Sequence, residues 1–264
     1  MKKYLLTGLI ALVLLIPTIG ASTTPFTNNM FPTPAPTSDF THTVFAEYAS
    51  TTSCGNCPAA SAALYSIFQS ADYPFYYVSL VADKNDVAKN RCGHYYAKYV
   101  PSVYFDGGAK NVTGAVGESN YRSLIQQCGQ RTVHSLGIQM TATGGGNGQI
   151  TITIKVKNNG SFFYIGGLIT YVTEIVSRWQ DAKGNPYHYA CLDMVKKPLF
   201  LFPKGSRTFT VNWDGAGKGF GDINDGNIKI ISSVSHWKPH PEVGYEDSKF
   251  IAFYVDQTAG VAVS

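Results

Sequence analysis

The chain has 264 residues, 44% of them hydrophobic and 14% charged, with a formal net charge of +4. That hydrophobic fraction can build a real core, which sets global disorder aside, and the length allows two modest domains at roughly 100–200 residues each. No Lys/Arg block of the kind that tracks phosphates is present, so nucleic acid is not an expected partner.

Lys2 and Lys3 precede an apolar run from Leu5 to Ile16, Pro17 ends it, and Gly20-Ala21-Ser22 supplies small residues for cleavage. Residues 1–21 therefore read as an export signal. If retained, the run would instead be an N-terminal membrane anchor, although it is slightly short of the roughly 17–25 residues of a span. Both readings place the protein outside the cytoplasm: secreted, periplasmic or on the cell surface. No later segment is long and apolar enough to cross a bilayer. Residues 22–40 are rich in Ser, Thr and Pro and read as a linker.

The texture changes at Thr43. Val44 to Ala49 reads as a buried strand, followed by a Ser/Thr turn and Cys54-Gly55-Asn56-Cys57-Pro58. Ala59 to Gln69 has Leu64, Ile67 and Phe68 at helical spacing, and Pro58 suits a first helical turn. Phe75 to Val81 is a second strand, Asp86 to Tyr99 a helix weakened by Gly93, and Ser102 to Phe105 a third strand after Pro101. Asp106-Gly107-Gly108 signals a hairpin turn into a return strand at Ala109 to Val112, and Ser119 to Gln127 is a helix. This unit spans 41–131. In 132–264 the pattern is different. Gln149 to Lys157 alternates strictly, as do Phe209, Val211 and Trp213, and Ile228 and Ile230; Gly166 to Val176 and Phe250 to Val255 are further strand candidates. Repeated strands without a convincing helix indicate a β-sandwich.

The cysteines carry the chemistry. There are five: Cys54, Cys57, Cys92, Cys128 and Cys191. In an exported protein disulfides persist, and an odd number leaves at least one thiol free or paired with another chain. Cys54 and Cys57 sit at a strand-to-helix junction, close enough to bridge. Unpaired N–H groups at the helix start favour a Cys54 thiolate, the attacking species in disulfide exchange. Cys54 is then the nucleophile and Cys57 the resolving thiol.

The strand, the C-x-x-C-Pro turn and Val100-Pro101 before the next strand resemble the thioredoxin superfamily over residues 43–130. More narrowly, Val44 to Ser50 leading into Cys54-x-x-Cys57-Pro58, with Tyr187 to Leu192 and Phe202-Pro203-Lys204-Gly205, is similar to Omp28-related exported proteins. The resemblance implies an α/β thioredoxin-like domain followed by an all-β immunoglobulin-like sandwich. It also implies a cis bond at Val100-Pro101, a Val100 backbone that docks substrate beside Gly55 and Asn56, and Glu47 as a proton acceptor beneath the disulfide. The site departs from thioredoxin itself in having Ser53 where a Trp is usual and Gly-Asn between the cysteines.

The expected function is an extracytoplasmic thiol–disulfide oxidoreductase with catalytic residues Cys54, Cys57, Pro101 and Glu47. Its partners would be thiol- or disulfide-bearing exported proteins and a redox partner protein, without a cofactor. The alternative is a cell-surface adhesion or structural protein in which Cys54–Cys57 is a static disulfide. A third reading, zinc held by Cys54, Cys57, Cys92 and His94, would satisfy four-coordinate N/S chemistry. Cys92 and Cys128 are expected on opposite sheet faces, with Cys191 able to pair with either. His236 and His240 have helical spacing, but Pro239 and Pro241 work against a shared helix face.

Overall fold

A computed structural model describes residues 39–239 and 251–263. The expected export signal, the linker as far as residue 38, and His240 lie outside the described residues. The elements in chain order are β1 (Val44–Ser50), α1 (Cys57–Ser70), β2 (Phe75–Val81), α2 (Asp86–His94), β3 (Ser102–Phe105), β4 (Lys110–Thr113) and α3 (Glu118–Gly129). Among the described residues only strands and a short 3-10 turn follow: β5 (Leu136–Gly144), β6 (Gln149–Asn158), β7 (Tyr164–Gln180), β8 (Pro186–Leu201), β9 (Ser206–Asp214), β10 (Ile228–Pro239) and β11 (Ile251–Ala262).

The expectation of an α/β thioredoxin-like domain followed by an all-β immunoglobulin-like sandwich needs correction. Strands dominate, eleven against three α-helices among the described residues. The strands before and after residue 132 are joined in one mixed eight-stranded sheet of order β11-β10-β7-β8-β2-β1-β3-β4. A separate three-stranded sheet, β5-β6-β9, packs against part of it. The join is β2 to β8, parallel, with Ser79 opposite Ala190. It is reinforced by Ser79 Oγ donating to the His188 carbonyl at 2.8 Å and by Asn85 Nδ2 donating to the carbonyls of Cys191 and Leu192, both at 2.7 Å. The physical reason lies at the edge of β2. Left uncovered, it would present unpaired backbone groups, and β8 satisfies them with a segment apolar enough to be buried on both faces.

Three cores follow from this arrangement. One lies beneath α1 and α3, where Val44, Ala46 and Tyr48 of β1 meet Leu64 and Ile67 of α1 and Tyr121 and Ile125 of α3. The second lies on the opposite face of the same sheet, where Phe45 and Ala49 meet Ala88 and Cys92 of α2 and Tyr171 and Cys191 of the later strands. The third fills the gap between the two sheets, with Ile150, Ile152, Ile154 and Val156 of β6 against Leu168, Val172 and Ile230. Strict alternation in β6 places its isoleucines on one face, as the sequence pattern requires. β1 is buried along its whole length because both its faces are covered.

Most early elements fall where expected, but α2 ends at His94 rather than Tyr99. Tyr96 adopts φ 51°, a left-handed conformation that a helix cannot continue through. The turn at Asp106, Gly107 and Gly108 has three consecutive positive φ values (48°, 70° and 94°), which is why two glycines stand there.

Candidate functional site

Cys54 and Cys57 form a disulfide, with their Cα atoms 5.4 Å apart. The two sulfurs differ in environment. Cys57 opens α1 and is fully buried in the core beneath that helix, whereas Cys54 is half-buried at the surface. The Cys57 backbone N–H points at Cys54 Sγ, 3.1 Å away. The first turn of α1 holds no acidic residue, so nothing there opposes the positive end of the helix. Gly55 and Asn56 are exposed, and a Cβ built on Gly55 would meet nothing within 4 Å. A partner chain can therefore approach Cys54 from that side.

The loop that presents Cys54 is tied down from three directions. Asp83 at the end of β2 accepts from both the backbone N–H and the hydroxyl of Thr52. Tyr187 of β8 donates to the Thr51 carbonyl at 3.0 Å and shares a 2.7 Å hydrogen bond with Ser50 Oγ. Tyr48 of β1 donates to the Cys57 carbonyl at 2.8 Å, and burial pushes its phenol well above the ordinary range. Sequence reading missed Tyr48 and Tyr187. Tyr48 was legible in principle, since it shares the face of Val44 and Ala46. Tyr187 lies 130 residues beyond Cys57, and although Tyr187 to Leu192 carries part of the resemblance, nothing in it marked contact with the cysteine motif.

Val100-Pro101 is a cis peptide bond. Pro101 is buried, its carbonyl accepting from the Gly114 N–H at 2.8 Å. Val100 is half-buried and packs, like Cys54, against the core beneath α1.

Glu47 is not where the resemblance placed it. Side chains alternate along β1, so Glu47 shares the face of Phe45 and Ala49 and points away from Cys57. There it is fully buried in a polar cluster. Arg91 of α2 donates Nε to Oε1 at 2.6 Å and Nη2 to Oε2 at 2.8 Å. Tyr171 donates to Oε1 at 2.5 Å, and Tyr95 donates to Oε2. Burial alone would raise the Glu47 carboxyl, but the Arg91 charge and these hydrogen bonds outweigh it and hold it below the usual carboxylate range. A carboxylate so engaged is a structural anion rather than a proton acceptor for Cys57.

The remaining thiols are free and buried. Cys128 sits in the core beneath α1 and α3, while Cys92 and Cys191 sit together in the core beneath α2. Burial pushes the Cys92 thiol up to about 12 and raises those of Cys128 and Cys191 further. The zinc reading does not assemble, because Cys57 and Cys92 lie on opposite faces of the sheet.

No family model matches the chain, and no curated protein matches it. Among solved structures, HBP35 of Porphyromonas gingivalis is similar over 85% of this chain and 76% of its own, at 13% identity and a TM-score of 0.64. The protein AGR_C_4864 from Agrobacterium tumefaciens is similar over 83% of this chain and 94% of its own, at 14% identity and a TM-score of 0.54. At these identities the likeness is one of fold alone.

Proposed function

We propose that the protein is an extracytoplasmic thiol–disulfide oxidoreductase acting through Cys54 and Cys57. The observation that carries this reading is the asymmetry of the pair: an approachable Cys54 Sγ facing a backbone N–H, and a buried Cys57 behind it. In the oxidising direction a partner thiolate attacks Cys54 Sγ, the S–S bond breaks, and Cys57 leaves as a thiolate that takes up a proton. A second partner thiolate then attacks the partner's sulfur in the mixed disulfide and displaces Cys54. The partner loses two electrons and gains a disulfide, and the Cys54–Cys57 pair is left as a dithiol. Run backwards, the same steps reduce a partner. The N–H directed at Cys54 Sγ stabilises the thiolate in either direction. The Val100-Pro101 segment and the exposed Gly55 and Asn56 would form the partner's contact surface. The export-signal grammar of residues 1–21 and the similarity to Omp28-related exported proteins support the location.

The second reading is a surface-binding protein with a static disulfide. It is favoured by the engagement of Glu47 with Arg91, which removes the proton acceptor that the resemblance supplies. Equilibration in graded glutathione buffers, with thiol trapping and mass spectrometry, separates the two. Titration of the pair well above about −300 mV supports exchange. A pair that stays oxidised across the whole series removes the oxidoreductase reading. Cys57→Ser should in addition accumulate a mixed disulfide at Cys54.

A further inference from the structure

The loop between β6 and β7 and the turn between β8 and β9 meet at one tip of the molecule, and the tip is aromatic. Phe162, Phe163, Ile165, Phe200 and Phe202 are all exposed there, Phe162 to 78% and Ile165 to 66%. They form one patch. The ring of Phe163 lies 5.7 Å from that of Phe200 and 5.4 Å from that of Phe202, and the Phe200 and Phe202 rings are 5.3 Å apart. Ile165 pairs directly with Phe200 across β7 and β8. A large aromatic side chain covers roughly 150–250 Å² when buried, so the patch presents on the order of 500 Å² of apolar surface. Isolated exposed residues need no explanation, whereas a contiguous patch of this size is in the range of the largest that a monomer exposes, and such patches are often functional.

The patch is built. Asn158, fully buried, donates through Nδ2 to the carbonyl of Phe162 at 2.8 Å and to that of Phe202 at 3.2 Å. One side chain thus holds both loops by their backbones and leaves the rings outside. Lys204, at φ 61° in the turn, donates from Nζ to the Asn159 carbonyl and ties the same two loops again.

The two segments that build the tip carry exposed charge of one sign, and the carboxylate beside them, Asp256 of β11, is buried against Tyr164 and His236. From residue 155 to 173 and from 194 to 213 the chain carries Lys155, Lys157, Lys196, Lys197, Lys204 and Arg207, and no Asp or Glu. All six are exposed. Protein interfaces carry a mixed polar rim; aromatic rings on two segments whose exposed charges are all positive match an anionic lipid surface. There the rings sit at headgroup depth and the lysines meet the headgroup charge. We propose that this tip docks the protein onto an anionic phospholipid bilayer. The proposal does not depend on the thiol chemistry. It is also distinct from anchoring through the apolar run at residues 5–16.

The test uses the full chain and sedimentation with vesicles of phosphatidylcholine alone or with about 30% phosphatidylglycerol, a typical anionic-leaflet mimic. The wild type should bind the anionic vesicles. Phe163→Ser with Phe202→Ser should weaken binding at least about tenfold, through lost apolar insertion. Lys157→Gln with Lys197→Gln, which leaves the Lys204 tie in place, should weaken it by roughly tenfold, in a salt-dependent way. All variants keep residues 1–38, so these differences report the tip. Phe162→Trp adds a local readout: the indole fluorescence that this variant gains should be quenched by brominated lipid. Equal binding by wild type and the double Phe variant, or no quenching of the added indole in Phe162→Trp, overturns the proposal. So does a wild type that ignores vesicles but forms a dimer that the double Phe variant abolishes, since a second copy would then be the occupant.

Discussion

Replacing Glu47 with Gln removes one charge from the Glu47–Arg91 pair and leaves the guanidinium buried without its counter-ion. Arg91 is only 2% exposed, so water cannot replace the carboxylate. Breaking a buried ion pair from one side typically costs about 3–5 kcal/mol, a large share of the roughly 5–15 kcal/mol that holds a domain folded. With a urea dependence of about 3 kcal/mol per molar, the midpoint should fall by about 1–1.7 M. Glu47→Gln combined with Arg91→Met removes the orphaned charge and should recover at least half of that loss. The pH dependence follows from the lowered carboxyl. A group whose folded-state pKa is depressed contributes fully above its unfolded value, about 4.3, and loses that contribution as the pH falls through the folded value. The gap between wild type and Glu47→Gln should therefore be constant near neutrality and close on acidification below about pH 4.3. Urea melts at several pH values measure it, with the exchange rate of the Cys54–Cys57 pair followed in parallel. If Glu47→Gln left the midpoint unmoved and slowed thiol exchange tenfold, Glu47 would be serving the disulfide after all, and its assignment to the opposite face of the sheet would be wrong.

Other outcomes follow from the same geometry. In the reduced native protein Cys54 should be alkylated first and Cys57 more slowly, while Cys92, Cys128 and Cys191 stay unlabelled at neutral pH until denaturant is added, as quantitative mass spectrometry would reveal. Asn85→Ala removes the cap that accepts from the Val87 and Ala88 N–H groups and both bonds to β8, so it should cost about 2–3 kcal/mol by denaturant titration. Gly166→Ala would place a Cβ 2.1 Å from the Ser235 backbone oxygen. A backbone atom in a paired strand cannot step aside, so about 2–3 kcal/mol should be lost, seen by calorimetry as a drop of roughly 5–10 °C in Tm.

Elements with a local signature were legible in the sequence. β6 alternates because one of its faces is wet. The start of α1 was marked by Pro58, and the Asp106 turn by two glycines. β8 left no such trace. Its middle, Tyr187 to Leu192, is nearly all buried, and its later part carries Lys196, Lys197 and Pro198, an unpromising stretch for a strand. A strand enclosed on both sides has no period of two to detect, and its partner β2 lies about a hundred residues earlier. Missing β8 meant missing the join, and the fold class was misjudged with it. The cysteine pair was legible because its chemistry is local. The position of Glu47 was misread because the resemblance fixed the strand without fixing which face each residue occupies; a shift of one residue reverses every side chain.

The β2–β8 pairing also governs how the chain can be divided. Cutting it after residue 131 would leave the cysteines on a fragment stripped of β8. Tyr187, Tyr189 and Ala190 would vanish from the core beneath α1, and the Thr51 carbonyl would lose its tether. The bared edge of β2 would then be a template for strand addition by any other chain. Such a fragment would be sticky and poorly held together around its disulfide. The Cys54–Cys57 turn and the distant half of the polypeptide are thus a single heritable unit, in which an insertion or frameshift near Tyr187 reaches Cys54 as surely as one beside it.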